Sequence, residues 1–256
     1  MKVLYYIFSF LFGAAIGSFI NVLIYRLPRE ISIVRPNSFC PKCKKPIFWY
    51  ENIPMISFIL LGGKCSKCRQ SISWQYPLVE ATTAILFLYS FHRFNLSIQL
   101  LFYLLYVCIL ITISSIDFVH QIIPNILSIP GIILGLVFQL INNNIVFGLI
   151  GMVFGGGLIL LVRVFGGWAY KKEVMGMGDV YLTAMIGAFV GFPQIIPAIL
   201  IGALSGSIYG IMYLLIMHKN SASPIPFGPF LSIGGLVVAL FQTEVLNLLR
   251  ATGINL

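Results

Sequence analysis

From Val180 to Met217 the chain runs 38 residues without one charged side chain. As a single helix this stretch would extend about 57 Å at ~1.5 Å per residue, against a bilayer hydrocarbon core of ~30 Å. It therefore has to be two apolar helices. Gly191-Phe192-Pro193 is the natural break, because glycine loosens a helix and proline ends one. The rest of the chain has the same character: 59% of residues are hydrophobic and 9% charged, where a soluble domain carries about 25% charged residues. This excludes a free soluble enzyme and a disordered chain. The class it defines is an all-α polytopic membrane protein.

About eight transmembrane helices are expected. Residues 3–25 are almost unbroken apolar, too long for a signal-peptide core and without an A-x-A-like cleavage site, so they read as an uncleaved first helix. Residues 26–76 are polar, basic and rich in proline and cysteine, and form the one soluble module. Leu78–Phe91 is a short second span that borrows Trp74 and Tyr76 as interfacial anchors. Leu96–Ile116, Ile122–Ile141 and Ile145–Val162 follow, then the two halves of Val180–Met217, then Phe227–Leu249. The expected domains are 1–25, a first helix; 26–76, a cytoplasmic Cys-rich insertion; and 77–256, a seven-helix membrane domain.

Charge gives the orientation. Nine of the 16 Lys and Arg residues lie between Arg26 and Arg69. With 26–76 on the cytoplasmic side, thirteen basic residues face in and three (Lys2, Arg93 and Arg250) face out. A net charge of +9 in such a chain reports topology. No strip of interleaved basic and aromatic residues argues for nucleic acid. Small residues at four-residue spacing, Gly13/Gly17, Gly151/Gly155 and Gly202/Gly206/Gly210, are expected to let helices pack closely. The three histidines, His92, His120 and His218, fall at span ends and read as interfacial.

Cys40-Pro-Lys-Cys43 and Cys65-Ser-Lys-Cys68 share one spacing, the two-knuckle pattern of a structural zinc site. Each C-x-x-C turn presents two thiolates on one side of a tight loop, and four thiolates close a tetrahedron. A module of about 50 residues with little apolar content gains from a metal the folding free energy its core lacks. Reduced unmetallated cysteines or two disulfides are the alternatives, and disulfides are disfavoured in the cytoplasm. Cys108, inside a span, reads as packing.

The chain has only two aspartates, Asp117 at the end of the third span and Asp179 at the start of the sixth. A carboxylate at the membrane is costly and marks a functional candidate. Under the eight-span topology both lie at the cytoplasmic edge, on different helices. Two close carboxyls cannot both ionise cheaply, so one can take a proton from water while the other donates to a scissile carbonyl oxygen. Gly176 and Gly178, beside Asp179, would let backbone approach an extended peptide. Three other readings stand beside peptide hydrolysis. Each Asp could merely flank or cap a helix, as Asp179 before Val180 suggests. The pair could be relay groups of a membrane transporter or proton pathway. The chain could be a zinc-stapled scaffold without catalysis.

Several segments together resemble the bacterial type IV prepilin peptidases, membrane aspartic proteases of the Gly-x-Gly-Asp type. They are Gly17-Ser18-Phe19-Ile20-Asn21-Val22 with Tyr25-Arg26-Leu27-Pro28, the twin Cys-x-x-Cys module around Asn52-Ile53-Pro54, and Tyr76-Pro77-Leu78-Val79-Glu80. Asp117 followed by Ile123-Pro124-Asn125, Gly176-Met177-Gly178-Asp179, and Pro226-Phe227-Gly228-Pro229-Phe230 complete the set. One departure is Tyr181, where family members often carry lysine. The resemblance implies cleavage of the short basic leader from type IV prepilins and pseudopilins on the cytoplasmic side of the bacterial inner membrane, with Asp117 and Asp179 catalytic. It implies N-methylation of the new N-terminus with S-adenosylmethionine, for which Glu51, Asn52 and Glu80 are candidate residues. The twin Cys-x-x-Cys spacing itself assigns structural Zn2+ to Cys40, Cys43, Cys65 and Cys68. A prepilin, itself a positive leader followed by an apolar helix, would lie among lipids with its cleavage point at the interface.

Overall fold

The computed structural model describes residues 2–217 and 225–251. His218 and most of the connection expected at 218–226 lie outside the described residues. Among the described residues ten α-helices form: α1 (Lys2–Arg26), α2 (Ile56–Leu60), α3 (Gln75–Phe94), α4 (Ile98–His120), α5 (Asn125–Ile141), α6 (Ile145–Tyr170), α7 (Met177–Val190), α8 (Ile195–Met217), α9 (Gly228–Leu240) and α10 (Gln242–Ala251). Among the described residues there are two isolated β-bridges and no longer strand. Four helices, α1, α4, α6 and α8, are long and apolar enough to cross a membrane, and α5, α7 and α9 are shorter apolar helices. The chain clusters into two compact units, 1–112 and 113–256.

In the first unit α1 lies along α3. A Cβ on Gly13 would come within 2.9 Å of the Ala84 Cα, and one on Gly17 within 2.7 Å of the Glu80 Cα. The Gly13/Gly17 pair thus sets backbone against backbone, as small-residue spacing implies. Helix α3 runs from Gln75 to Phe94, longer at both ends than the Leu78–Phe91 expected. The two knuckles between α1 and α3 are the same structure twice. The Cys40 N–H donates to the Lys45 carbonyl at 2.9 Å and the Cys65 N–H to the Gln70 carbonyl at 2.9 Å. Lys44 and Arg69 occupy matching left-handed positions, at φ 59° and 56°. One antiparallel bridge closes each loop, Phe39 with Pro46 and Lys64 with Ser71. Arg26, buried at the end of α1, donates to the Ser32 carbonyl at 2.7 Å and the Pro36 carbonyl at 2.6 Å, and so anchors the chain as it leaves the helix.

In the second unit α7 is the central element. It buries Val180, Leu182, Met185, Ile186 and Phe189 and packs on α5, α6 and α9. Gly151 on α6 meets Gly187 on α7 with no room for a Cβ on either. The buried Gln139 amide on α5 donates to the Phe189 carbonyl at 2.8 Å. The break after α7 falls at Gly191 (φ 78°), where the Phe192 N–H leaves the helix to donate to the Phe147 carbonyl at 2.9 Å. Gly202 and Gly206 on α8 receive Phe230 and Leu231 of α9. The final expected span differs: 227–249 is two helices, apolar α9 and amphipathic α10, separated at Phe241. The polar triplet Gln242-Thr243-Glu244 suits a new helix start better than the middle of a membrane span.

Candidate active site and metal centre

Asp117 and Asp179 both belong to the second unit. Asp117 sits three residues before the end of α4, where the chain turns at Gln121 (φ 55°) and passes through Ile123-Pro124 into α5. Asp179 is the third residue of α7, so it is not the N-cap; that position is Gly176, and the Asp179 carboxyl reaches back to it. The Gly176 N–H donates to Asp179 Oδ2 at 3.2 Å. The Gly228 N–H, at the first position of α9, donates to Asp117 Oδ2 at 2.9 Å. Each carboxyl thus closes the start of a short buried helix, where backbone N–H groups have no intrahelical partner.

Ile123 joins the two arrangements. A Cβ on Gly178 would lie 2.7 Å from the Ile123 Cβ, and one on Gly228 would lie 3.2 Å from the Ile123 Cδ1 and 2.6 Å from Asp117 Oδ2. Gly178 is therefore bare because Ile123 fills the space above it. Around Gly176 a Cβ would meet Asp179 Oδ2 at an ordinary 3.4 Å. Asp117 lies near enough for its charge to act on Asp179. Asp117 is 5% exposed and Asp179 9%. Asp179 Oδ1 is buried without a hydrogen-bond partner among the described residues. An orphaned carboxyl oxygen is costly unless a proton, a water or a ligand satisfies it.

In the sequence Gly228 and Ile123 are visible only as parts of longer signatures. Their contact with the aspartates is across the chain, and the Pro-Phe-Gly-Pro-Phe segment is its one trace in the sequence. Arg163 is a further residue whose part emerges only in three dimensions. Its Nε–H donates to the Met175 carbonyl at 3.1 Å and its other arm pairs with Glu173 at 3.1 Å, which ties down the loop leading into Gly176.

In the first unit the four knuckle thiols converge. Their Sγ atoms all lie within 4.8 Å of one another, with Cys40 and Cys68 3.9 Å apart and Cys43 and Cys65 4.0 Å apart. A tetrahedron with Zn–S bonds of ~2.3 Å has edges of about 3.8 Å, so four thiols so placed can hold a metal ion. None is in a disulfide. The Cys65 thiol is drawn down to about 6 by the Cys68 and Lys67 backbone N–H groups. Cys68, despite the Gln70 N–H, is pushed up to about 11 by desolvation and by the facing thiols Cys65, Cys43 and Cys40. Four anions cannot accumulate there without a cation to gather them. Lys45 ties the knuckles together, donating to Glu51 Oε1 at 2.9 Å and to the Ser66 hydroxyl at 2.8 Å. Ser66, Lys45 and the Phe48 N–H hold the Glu51 carboxyl down at about 2.

Glu51, Asn52 and Glu80 are brought together along one cavity of about 420 Å³ between the knuckles and the adjoining ends of α1 and α3. The Glu80 carboxylate, part of its lining, accepts the Met55 N–H at 2.7 Å.

Comparison with known proteins agrees with this pairing of a Cys-rich unit and an aspartate-bearing helical unit. Residues 11–94 match the Bacterial Peptidase A24 N-terminal domain and residues 104–211 match the Type IV leader peptidase family. The chain belongs to the type IV leader peptidase family. It is 37% identical over 271 residues to a prepilin leader peptidase/N-methyltransferase of Pseudomonas aeruginosa, covering 93% of this chain and 90% of that relative. It is 34% identical over 264 residues to the protein of the same description from Legionella pneumophila, covering 93% and 91%. No solved structure matches it.

Proposed function

We propose that the chain removes the short basic leader of type IV prepilins and related pseudopilins, with Asp117 and Asp179 as the catalytic pair, and then methylates the new N-terminus. The observation that carries the peptidase assignment is the pair of buried carboxyls in one unit, Asp117 close enough for its charge to act on Asp179, with Asp179 Oδ1 left unpartnered. Of the two, the ionised carboxylate takes a proton from a water as its oxygen attacks the scissile carbonyl carbon. The protonated carboxyl gives its proton to the carbonyl oxygen. Collapse of the diol breaks the C–N bond as a carboxyl returns a proton to the leaving nitrogen. The Gly228 and Gly176 N–H groups hold the carboxyls in place throughout.

The same reading takes α1 and α3–α9 as eight membrane passes, places residues 26–76 in the cytoplasm, and treats 77–256 as the peptidase domain. The thirteen-to-three split of basic residues supports that orientation. It assigns Zn2+ to Cys40, Cys43, Cys65 and Cys68, where it would tie the two knuckles together. Adenosylmethionine, when bound, supplies the methyl group.

The test is Asp117→Asn and Asp179→Asn, each purified in membranes with a prepilin. Either change keeps the shape and one acceptor oxygen but removes the ionisable carboxyl. Each should reduce leader cleavage by at least ~10³-fold, in line with loss of a group essential to the chemistry, with helix content unchanged. Near wild-type cleavage by either variant ends the assignment.

A further inference from the structure

Residues 171–176 carry the chain from α6 to α7, and Asp179 stands just beyond them. Lys171, Lys172, Glu173 and Val174 are exposed, so packing does little to fix the segment. Its last peptide group, between Met175 and Gly176, is engaged at both ends. The Met175 carbonyl accepts the Arg163 Nε–H at 3.1 Å. The Gly176 N–H donates to Asp179 Oδ2 at 3.2 Å. One planar amide therefore connects a guanidinium on α6 to a carboxyl on α7. Gly176 sits at φ −72° and ψ 153°, but glycine tolerates rotations that other residues resist. Left to itself, this amide is free to turn over and withdraw its N–H from Asp179. The charged donor on its carbonyl opposes that turn.

We propose that Arg163 is a positioning residue for leader cleavage, which sets the Asp179 carboxyl by holding the peptide group that donates to it. The inference rests on the reading of Asp179 as catalytic and adds to it a residue on another helix. The guanidinium fork engages the chain on both sides of Gly176. Its Nε–H takes the Met175 carbonyl, its Nη2–H pairs with Glu173 at 3.1 Å, and its Nη1–H donates to the Met177 Sδ at 3.9 Å. Glu173 is 84% exposed, and an ion pair so placed contributes little. The bond to the carbonyl matters more, because a charged donor makes a stronger hydrogen bond than a neutral one. A donor on the carbonyl also polarises the N–H at the other end of the same amide, which strengthens its bond to Asp179. Lysine at this position would keep the charge and one donor but lose the fork.

The experiment uses the full chain in nanodiscs, labelled with carbon-13 at methionine carbonyls and nitrogen-15 at glycine. Met-Gly pairs occur at 175–176 and 177–178 and nowhere else in the sequence. A carbonyl-filtered amide spectrum therefore holds two peaks, and Met177→Leu assigns them by deleting one. In the unaltered chain the Gly176 proton should resonate downfield of the Gly178 proton, because it donates to a carboxyl. Arg163→Gln should move the 175–176 peak in both its carbon and its proton dimension. It should lower kcat for leader cleavage at least ~10-fold with KM held within about 2-fold, as expected of a displaced catalytic group. Arg163→Lys should recover part of that loss. Wild-type kcat in Arg163→Gln, a rise in KM alone, a fall in kcat with an unmoved 175–176 peak, or no recovery by lysine each overturn the proposal. The reverse order of the two protons in the unaltered chain overturns it even where the variants fail to fold. Wild-type cleavage by Asp179→Asn overturns the catalytic reading beneath it. Loss of cleavage in Asp179→Asn beside wild-type cleavage in Arg163→Gln overturns the role of Arg163 alone.

Discussion

Gly228→Ala tests the aspartate geometry at its most sensitive point. The new methyl would sit 2.6 Å from Asp117 Oδ2, 3.1 Å from its Cγ and 3.2 Å from the Ile123 Cδ1. A carbon and an oxygen normally approach no closer than ~3.3 Å, so the carboxyl has to retreat by about 0.7 Å. The carboxyl is buried, and a retreat of that size stretches the 2.9 Å bond from the Gly228 N–H to about 3.6 Å, beyond hydrogen-bonding range. Losing a hydrogen bond to a charged group costs about 1.5–3 kcal/mol, which converts to roughly 10- to 150-fold in rate. A catalytic group misplaced by ~1 Å carries a penalty of ~10². The expected outcome is a fall of about that size in kcat for leader cleavage in proteoliposomes, with helix content retained. Gly157→Ala is the control, because a Cβ there meets nothing within 4 Å, and it should cleave at the wild-type rate. Wild-type cleavage by Gly228→Ala would refute the claim that the α9 amide positions Asp117.

Three further outcomes follow from the first unit. Cys40→Ser should abolish retention of one equivalent of metal, measured by elemental analysis, and should expose 26–76 to protease, because a structural metal contributes folding free energy directly. Glu51 has a depressed folded-state pKa, so its tie to Lys45 stabilises the module fully above the ordinary carboxylate range near 4.3 and is lost as pH falls toward about 2. Glu51→Gln should therefore speed metal release to a chelator at pH 7, and no acceleration would refute the tie. Gly17→Val would drive a branched side chain into the Glu80 Cα, now 2.7 Å from the position of a bare Cβ. Overpacking of that kind costs about 1–3 kcal/mol, and a thermal-melt shift of several degrees should report it.

Much of the helical framework is legible in the sequence because membrane thickness is a ruler. The 38 charge-free residues had to break, and Gly191-Phe192-Pro193 is where they do. Gly13/Gly17 and Gly151/Gly155 predict close helix contacts, and Ala84 and Gly187 are what they meet. The twin spacing of Cys40/Cys43 and Cys65/Cys68 foretells the cluster, because a C-x-x-C turn is a local structure. The aspartate surroundings are less legible. The donor to Asp117 is a backbone N–H 111 residues away, and a glycine amide carries no side-chain signature. Arg163 reads as the polar end of a span until its bond to the Met175 carbonyl is seen. The last span is misjudged because average apolarity outweighs the polar triplet at Gln242.

Helices α7 and α9 have 14 and 13 residues, so they rise only about 21 and 20 Å at ~1.5 Å per residue. A helix that ends flush with one surface of a ~30 Å hydrocarbon layer stops about 10 Å short of the other. Asp179 stands in the first turn of α7 and Asp117 against the first turn of α9, so if both helices end flush with the far surface, their missing length falls on the side of the carboxyls. A guest helix seated there must shed roughly two turns of its own hydrogen bonds before its backbone can meet them, at ~5.4 Å per turn. Selection would then act on how readily a guest frays at one end, as well as on the residues flanking its scissile bond.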